Sequence, residues 1–132
     1  MPLKYSLKKM GKNLKKEGPD KYYAVPKSDG IFDLDAVSER INAISTVSSV
    51  DTVAVVEAFI KVVSDALLDG KSVKLGKFGI FSLSIRSEGV EDKNNFSLKN
   101  IIQFKINFLP STKFKRLIKK IKLTHQKQYD DE

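Results

Sequence analysis

The sequence contains no cysteine, no tryptophan and a single histidine, His125. Without cysteine there is no disulfide framework, no thiolate metal site and no cysteine nucleophile. One histidine leaves a multi-histidine metal centre without its parts, and placed close to the C-terminus it nearly excludes a His-based catalytic triad. His125 lies in a polar stretch near the C-terminus and reads as solvent-exposed. No long apolar run is present. The best, Val53 to Ile60, is interrupted by Glu57, too short and too polar to span a bilayer. Met1 to Tyr5 offers no apolar signal-peptide core, so the expected location is cytoplasmic. Phosphate-binding glycine loops are missing as well. Gly70-Lys71-Ser72 resembles the end of one, but Asp65 stands where its first glycine belongs, and the helix precedes the strand instead of following it. No carboxylates are paired on a recognisable scaffold. These absences predict a protein that is not an enzyme, with no catalytic residues, no metal, no cofactor and no small-molecule substrate.

What the chain does have is positive charge. Its 132 residues carry 24 Lys and Arg against 16 Asp and Glu, a net +8. The signs are segregated. Residues 1–30 hold 8 basic and 3 acidic residues, 31–70 hold 2 and 7, 71–100 hold 6 and 3, and 101–132 hold 8 and 3. One acidic segment flanked by basic ones favours a single basic face and a polyanionic partner.

Hydrophobic periodicity divides the chain. Residues 1–30 read as a basic extension, with Lys21 to Val25 a short strand stopped by Pro26. Leu34, Val37, Ile41 and Ile44 mark one face of a helix over Asp33 to Ser45. A longer helix follows, opened by Ser48 or Ser49 and stopped by Gly70. Val53, Val55, Val56, Phe59, Ile60, Val62, Val63, Ala66 and Leu67 cover most of its circumference. A helix apolar nearly all round is buried on several sides, and so small a domain has little of its own to surround it. A second copy of the chain is the expected supplier.

Ser72 to Leu75 then reads as a short strand, and Gly76 and Gly79 bracket a turn. Ile80 to Arg86 and Ile101 to Phe108 alternate with period two, joined by the polar stretch Ser87 to Asn100. This predicts a half-solvated antiparallel sheet with a protruding arm. Pro110 ends the last strand, Ser111 caps a helix to about Ile121, and the chain after Leu123 reads as a frayed tail.

Val73-Lys74-Leu75-Gly76-Lys77-Phe78-Gly79-Ile80-Phe81, together with Phe108-Leu109-Pro110 and the order of elements, resembles the HU/integration host factor family of bacterial histone-like proteins. The extension with Lys21-Tyr22-Tyr23-Ala24-Val25-Pro26 is similar to that of the longer HU-like proteins of Bacteroidetes. The resemblance departs from the family turn in one respect: Lys77 stands where the family usually has glycine. It implies an α+β fold with two N-terminal helices, a three-stranded antiparallel sheet whose last strands extend as an arm, a C-terminal helix, and an intertwined homodimer. The expected divisions are a basic extension at 1–30, an HU-like domain at 31–123 and a flexible tail at 124–132.

The function implied is that of an architectural, nucleoid-associated protein. It would bind double-stranded DNA through phosphates, largely without sequence specificity. The expected contacts are Lys74, Lys77, Arg86 and Lys105 on the sheet, Lys93 and Lys99 on the arm, and Ser111, Thr112, Lys113 and Lys115 at the last helix. The expected dimer core is Val56, Phe59, Ile60, Val63, Phe78, Phe81, Phe104 and Phe108. Family arms are usually basic and often carry a proline wedge. Here Arg86, Lys93 and Lys99 are balanced by Glu88, Glu91 and Asp92, no proline is present, and Phe96 is the candidate intercalating wedge. The neutral arm supports a rival reading, an HU-like dimeric protein-interaction module with weak or no DNA bending.

Overall fold

The computed structural model describes residues 2–10 and 21–131. The centre of the expected extension, including Gly11, Gly18 and Pro19, lies outside the described residues. Among the described residues the fold is α+β, with three α-helices and two small sheets. It divides into two units, one of residues 1–33 with 118–132, the other of residues 34–117.

The larger unit starts with α1 (Leu34–Ile44) and α2 (Ser49–Leu68), which pack on each other. Ser48 is the N-cap of α2. Its hydroxyl accepts the Asp51 N–H at 3.1 Å, and Asp51 itself sits in the first turn, where the helix dipole favours an anion. The C-terminus closes in a Schellman arrangement. The Lys71 N–H bonds to the Ala66 carbonyl and the Gly70 N–H to the Leu67 carbonyl, both at 3.0 Å. That geometry needs a left-handed residue at position 70, and Gly70 supplies it with φ +83°.

Strands β3 (Val73–Leu75), β4 (Gly79–Ser87) and β5 (Ile101–Pro110) form an antiparallel sheet in that order. The helix α3 (Thr112–Lys119) follows and carries the chain across the boundary between the units. It stops two residues short of the expected end at Ile121. Phe78, Phe81, Phe108 and Phe114 form one aromatic cluster, with ring centroids of successive neighbours 4.7–5.4 Å apart.

Little of this unit's apolar surface is covered. Leu67, 7% exposed, is the one buried apolar side chain among the described residues. Phe59 is 45% exposed and Phe104 62%. An open groove of about 420 Å³, lined by Phe59, Ile60, Val63, Leu75, Phe78 and Phe81, runs between α2 and the sheet.

The smaller unit pairs residues expected as a frayed tail with β-structure at the start of the sequence. Its sheet has the order β2-β1-β6, built from β1 (Leu3–Met10), β2 (Lys21–Pro26) and β6 (Leu123–His125). β2 is antiparallel to β1 and β6 parallel to it. Beyond β6 the chain makes a turn of 3₁₀ helix at Lys127–Tyr129 and continues along β1. His125 is likewise not a solvent-exposed side chain. Its ring stacks on Tyr5 with centroids 4.9 Å apart, and its Nε2 lies 2.8 Å from the Asp130 carboxylate. That carboxylate also accepts the Leu7 N–H at 2.7 Å. The Leu7 amide holds the Asp130 carboxyl below its ordinary pKa against partial desolvation, and His125 and Lys127 add to the effect. The tail is ordered by a strand that lies far from it in sequence, a pairing that no local period announces.

Candidate nucleic-acid interface

The β4–β5 ribbon sorts its side chains by face, because successive residues of a strand point to opposite sides. Phe81 pairs with Phe108, Leu83 with Ile106 and Ile85 with Phe104. These rows make one apolar face, to which β3 adds Val73 opposite Phe81. The other face carries Ser82 opposite Asn107, Ser84 opposite Lys105 and Arg86 opposite Gln103. β3 adds Lys74 to this side, opposite Ile80. Three of the sequence-predicted residues, Lys74, Arg86 and Lys105, are therefore brought onto one sheet face. Among the described residues none of the three has an ion-pair partner.

At the base of the arm the pairing slips. Arg86 faces Gln103 but Ser87 faces Ile101, so Ile102 is an extra residue on β5. A bulge of this kind bends and twists the ribbon where it leaves the sheet. The Glu88 N–H bonds to the Asn100 carbonyl at 2.8 Å and closes the arm's base. Two 3₁₀ turns follow, Lys93–Asn95 and Leu98–Asn100, each carrying one of the predicted lysines, Lys93 and Lys99. Asp92 caps the first by accepting the Asn94 N–H at 3.1 Å. Phe96 lies between the turns and is 43% exposed. Leu98, which the sequence reading passed over, is more exposed at 83%. An apolar residue amid Ser, Lys and Asn was the available signal for it.

Ser111 joins the turn and the last helix. Its hydroxyl accepts the Phe114 N–H at 3.1 Å, capping α3, and donates to the Lys77 carbonyl, while its own N–H bonds to the Phe78 carbonyl at 3.1 Å. Ser111 is thus committed to internal partners, and it fixes the start of α3 beside the Lys77 turn. Thr112, Lys113 and Lys115 follow on α3 as exposed or partly exposed side chains. The dimer-core candidates Phe59, Ile60, Phe78, Phe81 and Val63 line the apolar groove, and Phe104 and Phe108 lie on the sheet's apolar face. Among the described residues no group of three or more His, Asp or Glu side chains is placed to hold a metal ion. No helix among them is long and apolar enough to cross a membrane.

The fold is shared with a crystal structure from Bacteroides vulgatus ATCC 8482, a protein provisionally assigned as a bacterial DNA-binding protein. The two superpose with a TM-score of 0.66 at 17% sequence identity over 98% of this chain. This chain spans 49% of that one, about half its length. No curated protein matches the sequence. A family model, HU-HIG, described as "HU domain fused to wHTH, Ig, or Glycine-rich motif", matches residues 1–125. With that match covering nearly its whole length, the chain belongs to the HU-HIG family of HU-like proteins.

Proposed function

We propose that this protein is an architectural DNA-binding protein that works as a homodimer and grips duplex DNA through its phosphates, with little regard to sequence. The observation that carries the reading is the two-faced ribbon. One side presents Lys74, Arg86 and Lys105, without acidic partners among the described residues, among short polar side chains. Cations set among Ser, Asn and Gln suit a phosphate backbone and lack the spacing of a base-reading helix. The opposite face, with the groove beside α2, is apolar and half uncovered, which suits a second copy. On this reading Lys77, Lys113 and Lys115 extend the phosphate contacts around the start of α3. The protein acts at the nucleoid.

Binding should fall steeply with salt, by a log–log slope of roughly −0.9 for each phosphate neutralised. Replacing Arg86 and Lys105 together with alanine should weaken binding about tenfold at low salt, equally on unrelated sequences, and flatten the slope by roughly two contacts. A gel-shift titration across salt concentrations measures both. Salt-insensitive affinity would overturn the reading.

The arm carries a second reading. Its basic and acidic residues cancel, which favours an HU-like dimer that recruits protein partners and bends DNA weakly or not at all. Bending decides between them. If Phe96 wedges between base pairs, Phe96→Ala should lose end-to-end energy transfer on a labelled duplex while affinity changes less than threefold, since unstacking by a wedge and phosphate contact are separate contributions. Undiminished capture of a protein partner after nuclease treatment, with no bending by the wild type, would favour the interaction module.

A further inference from the structure

The C-terminal segment lies on β1 as an anionic strand. After β6 pairs with residues 3–5, the Gln126 N–H bonds to the Tyr5 carbonyl at 2.8 Å and the Asp131 N–H to the Leu7 carbonyl at 2.9 Å. The amides on the same edge receive carboxylates. Asp130 accepts the Leu7 N–H at 2.7 Å and Asp131 accepts the Lys9 N–H at 2.9 Å. The Tyr129 ring takes up a cation as well, with Lys27 Nζ 3.5 Å from its centroid. Two carboxylates on alternate amides of one strand are about 7 Å apart, comparable to the step between neighbouring phosphates along an extended nucleic-acid strand. Backbone N–H groups are ordinary phosphate donors. The strand that carries them lies in a segment, residues 1–30, with 8 basic and 3 acidic residues.

We propose that the segment 127–131 is an intramolecular competitor: its Asp130 and Asp131 carboxylates occupy anion positions on the β1 edge that backbone phosphates of bound DNA take over, so that the segment must leave β1 for the basic extension to join the DNA contact. The inference rests on the DNA-binding reading above. The competition is effective because the tail is tethered, which gives it a local concentration in the range of about millimolar. It is also reversible. The Asp131 anchor lies at the surface, where salt and competing anions reach it, while Asp130 is half-buried.

The test uses the chain truncated after Gln126, the full-length Asp130→Asn/Asp131→Asn variant, and a control in which Asp65→Asn/Asp69→Asn removes the same charge from α2 and its cap. At low salt the truncated protein should bind duplex DNA at least threefold more tightly than the full chain. The tail Asn variant should gain in the same direction, and the control less than twofold. Equal affinities, or an equal gain in the control, would overturn the proposal. The full-length chain supplies an independent readout. On saturation with duplex, the amide resonances of Asp130 and Asp131 should move to free-chain positions while those of Leu7 and Lys9 stay displaced. Tail resonances unchanged at saturation would overturn it too. If the wild type binds DNA and loses affinity with Arg86→Ala/Lys105→Ala, but the tail changes nothing, this inference alone falls. If no form binds DNA at low salt, the DNA-binding reading falls with it.

Discussion

Phe59→Asp should abolish the folded protein, not merely separate two folded subunits. In the single chain Phe59 is 45% exposed on α2, at the rim of the apolar groove. Beside it Ile60 and Phe78 are also about half uncovered, as is Phe104 on the sheet's apolar face, and Leu67 is the one buried apolar side chain among the described residues. A unit with that little enclosed apolar surface does not offset the conformational entropy of ordering its chain. The proposed second copy supplies what is missing, by laying its own groove and sheet face over this one. In that arrangement a carboxylate at position 59 would be taken out of water without a partner, at a cost of several kcal/mol in each subunit. Obligate dimers often have no stable folded monomer to fall back on. The wild type should sediment at micromolar concentration with twice the chain's 14.8 kDa. Phe59→Asp should lose its far-ultraviolet helix signal and its cooperative melting transition. A folded, monomeric Phe59→Asp protein, or a wild type that sediments as one chain, would remove the basis for the homodimer.

Periodicity made much of the larger unit legible. The alternation in Ile80 to Arg86 and Ile101 to Phe108 assigned both strands and, from Gln103 on, the side each residue takes, because a strand's period of two is a strong local signal; the bulge at Ile102 breaks it at the arm's base. Ser48 or Ser49 and Gly70 marked the ends of α2 for chemical reasons that act within one turn, and the structure takes Ser48 as the cap and Gly70 as the stop. The three basic residues of the polar face were legible for the same reason. The smaller unit was not. β6 is three residues long, too short to show a period, and its partner β1 is at the other end of the chain. Leu3, Tyr5 and Leu7 do alternate with Lys4, Ser6 and Lys8 in β1, but the lysines gave the segment the composition of a solvated extension. His125 and Asp130 looked like tail residues because each depends on β1 for its contacts, Tyr5 for the ring and Leu7 for the carboxylate. Contacts between distant segments carry no local sequence signature, and here they decide which residues are ordered.

Gly79→Ala should be the most damaging single-methyl change in the β3–β4 turn. Gly79 has φ +153°, a conformation that side chains disfavour, and it stands directly opposite Pro110 in the β4–β5 register. A Cβ built there would lie 2.7 Å from the Phe108 ring and closer still to the Leu109 carbonyl oxygen. The carbonyl belongs to the strand backbone and cannot swing aside. The ring is held on three sides by Phe78, Phe81 and Phe114. Relief therefore requires β4 and β5 to separate at Pro110, and that movement pulls on the bond between the Phe78 carbonyl and the Ser111 N–H. The same shift disturbs the Ser111 cap that starts α3. Strain in the backbone and overpacking of the cluster each cost about 1–3 kcal/mol, so a loss of roughly 2–6 kcal/mol is expected. Gly76 makes the natural comparison. Its φ is +50°, within the left-handed region, but nothing lies within 4 Å of a Cβ placed there. Gly76→Ala should accordingly cost about 1 kcal/mol. Denaturant unfolding of the two variants measures the difference. Similar midpoints for both would mean that the close approach of β5 to Gly79 is not what holds the turn to the sheet.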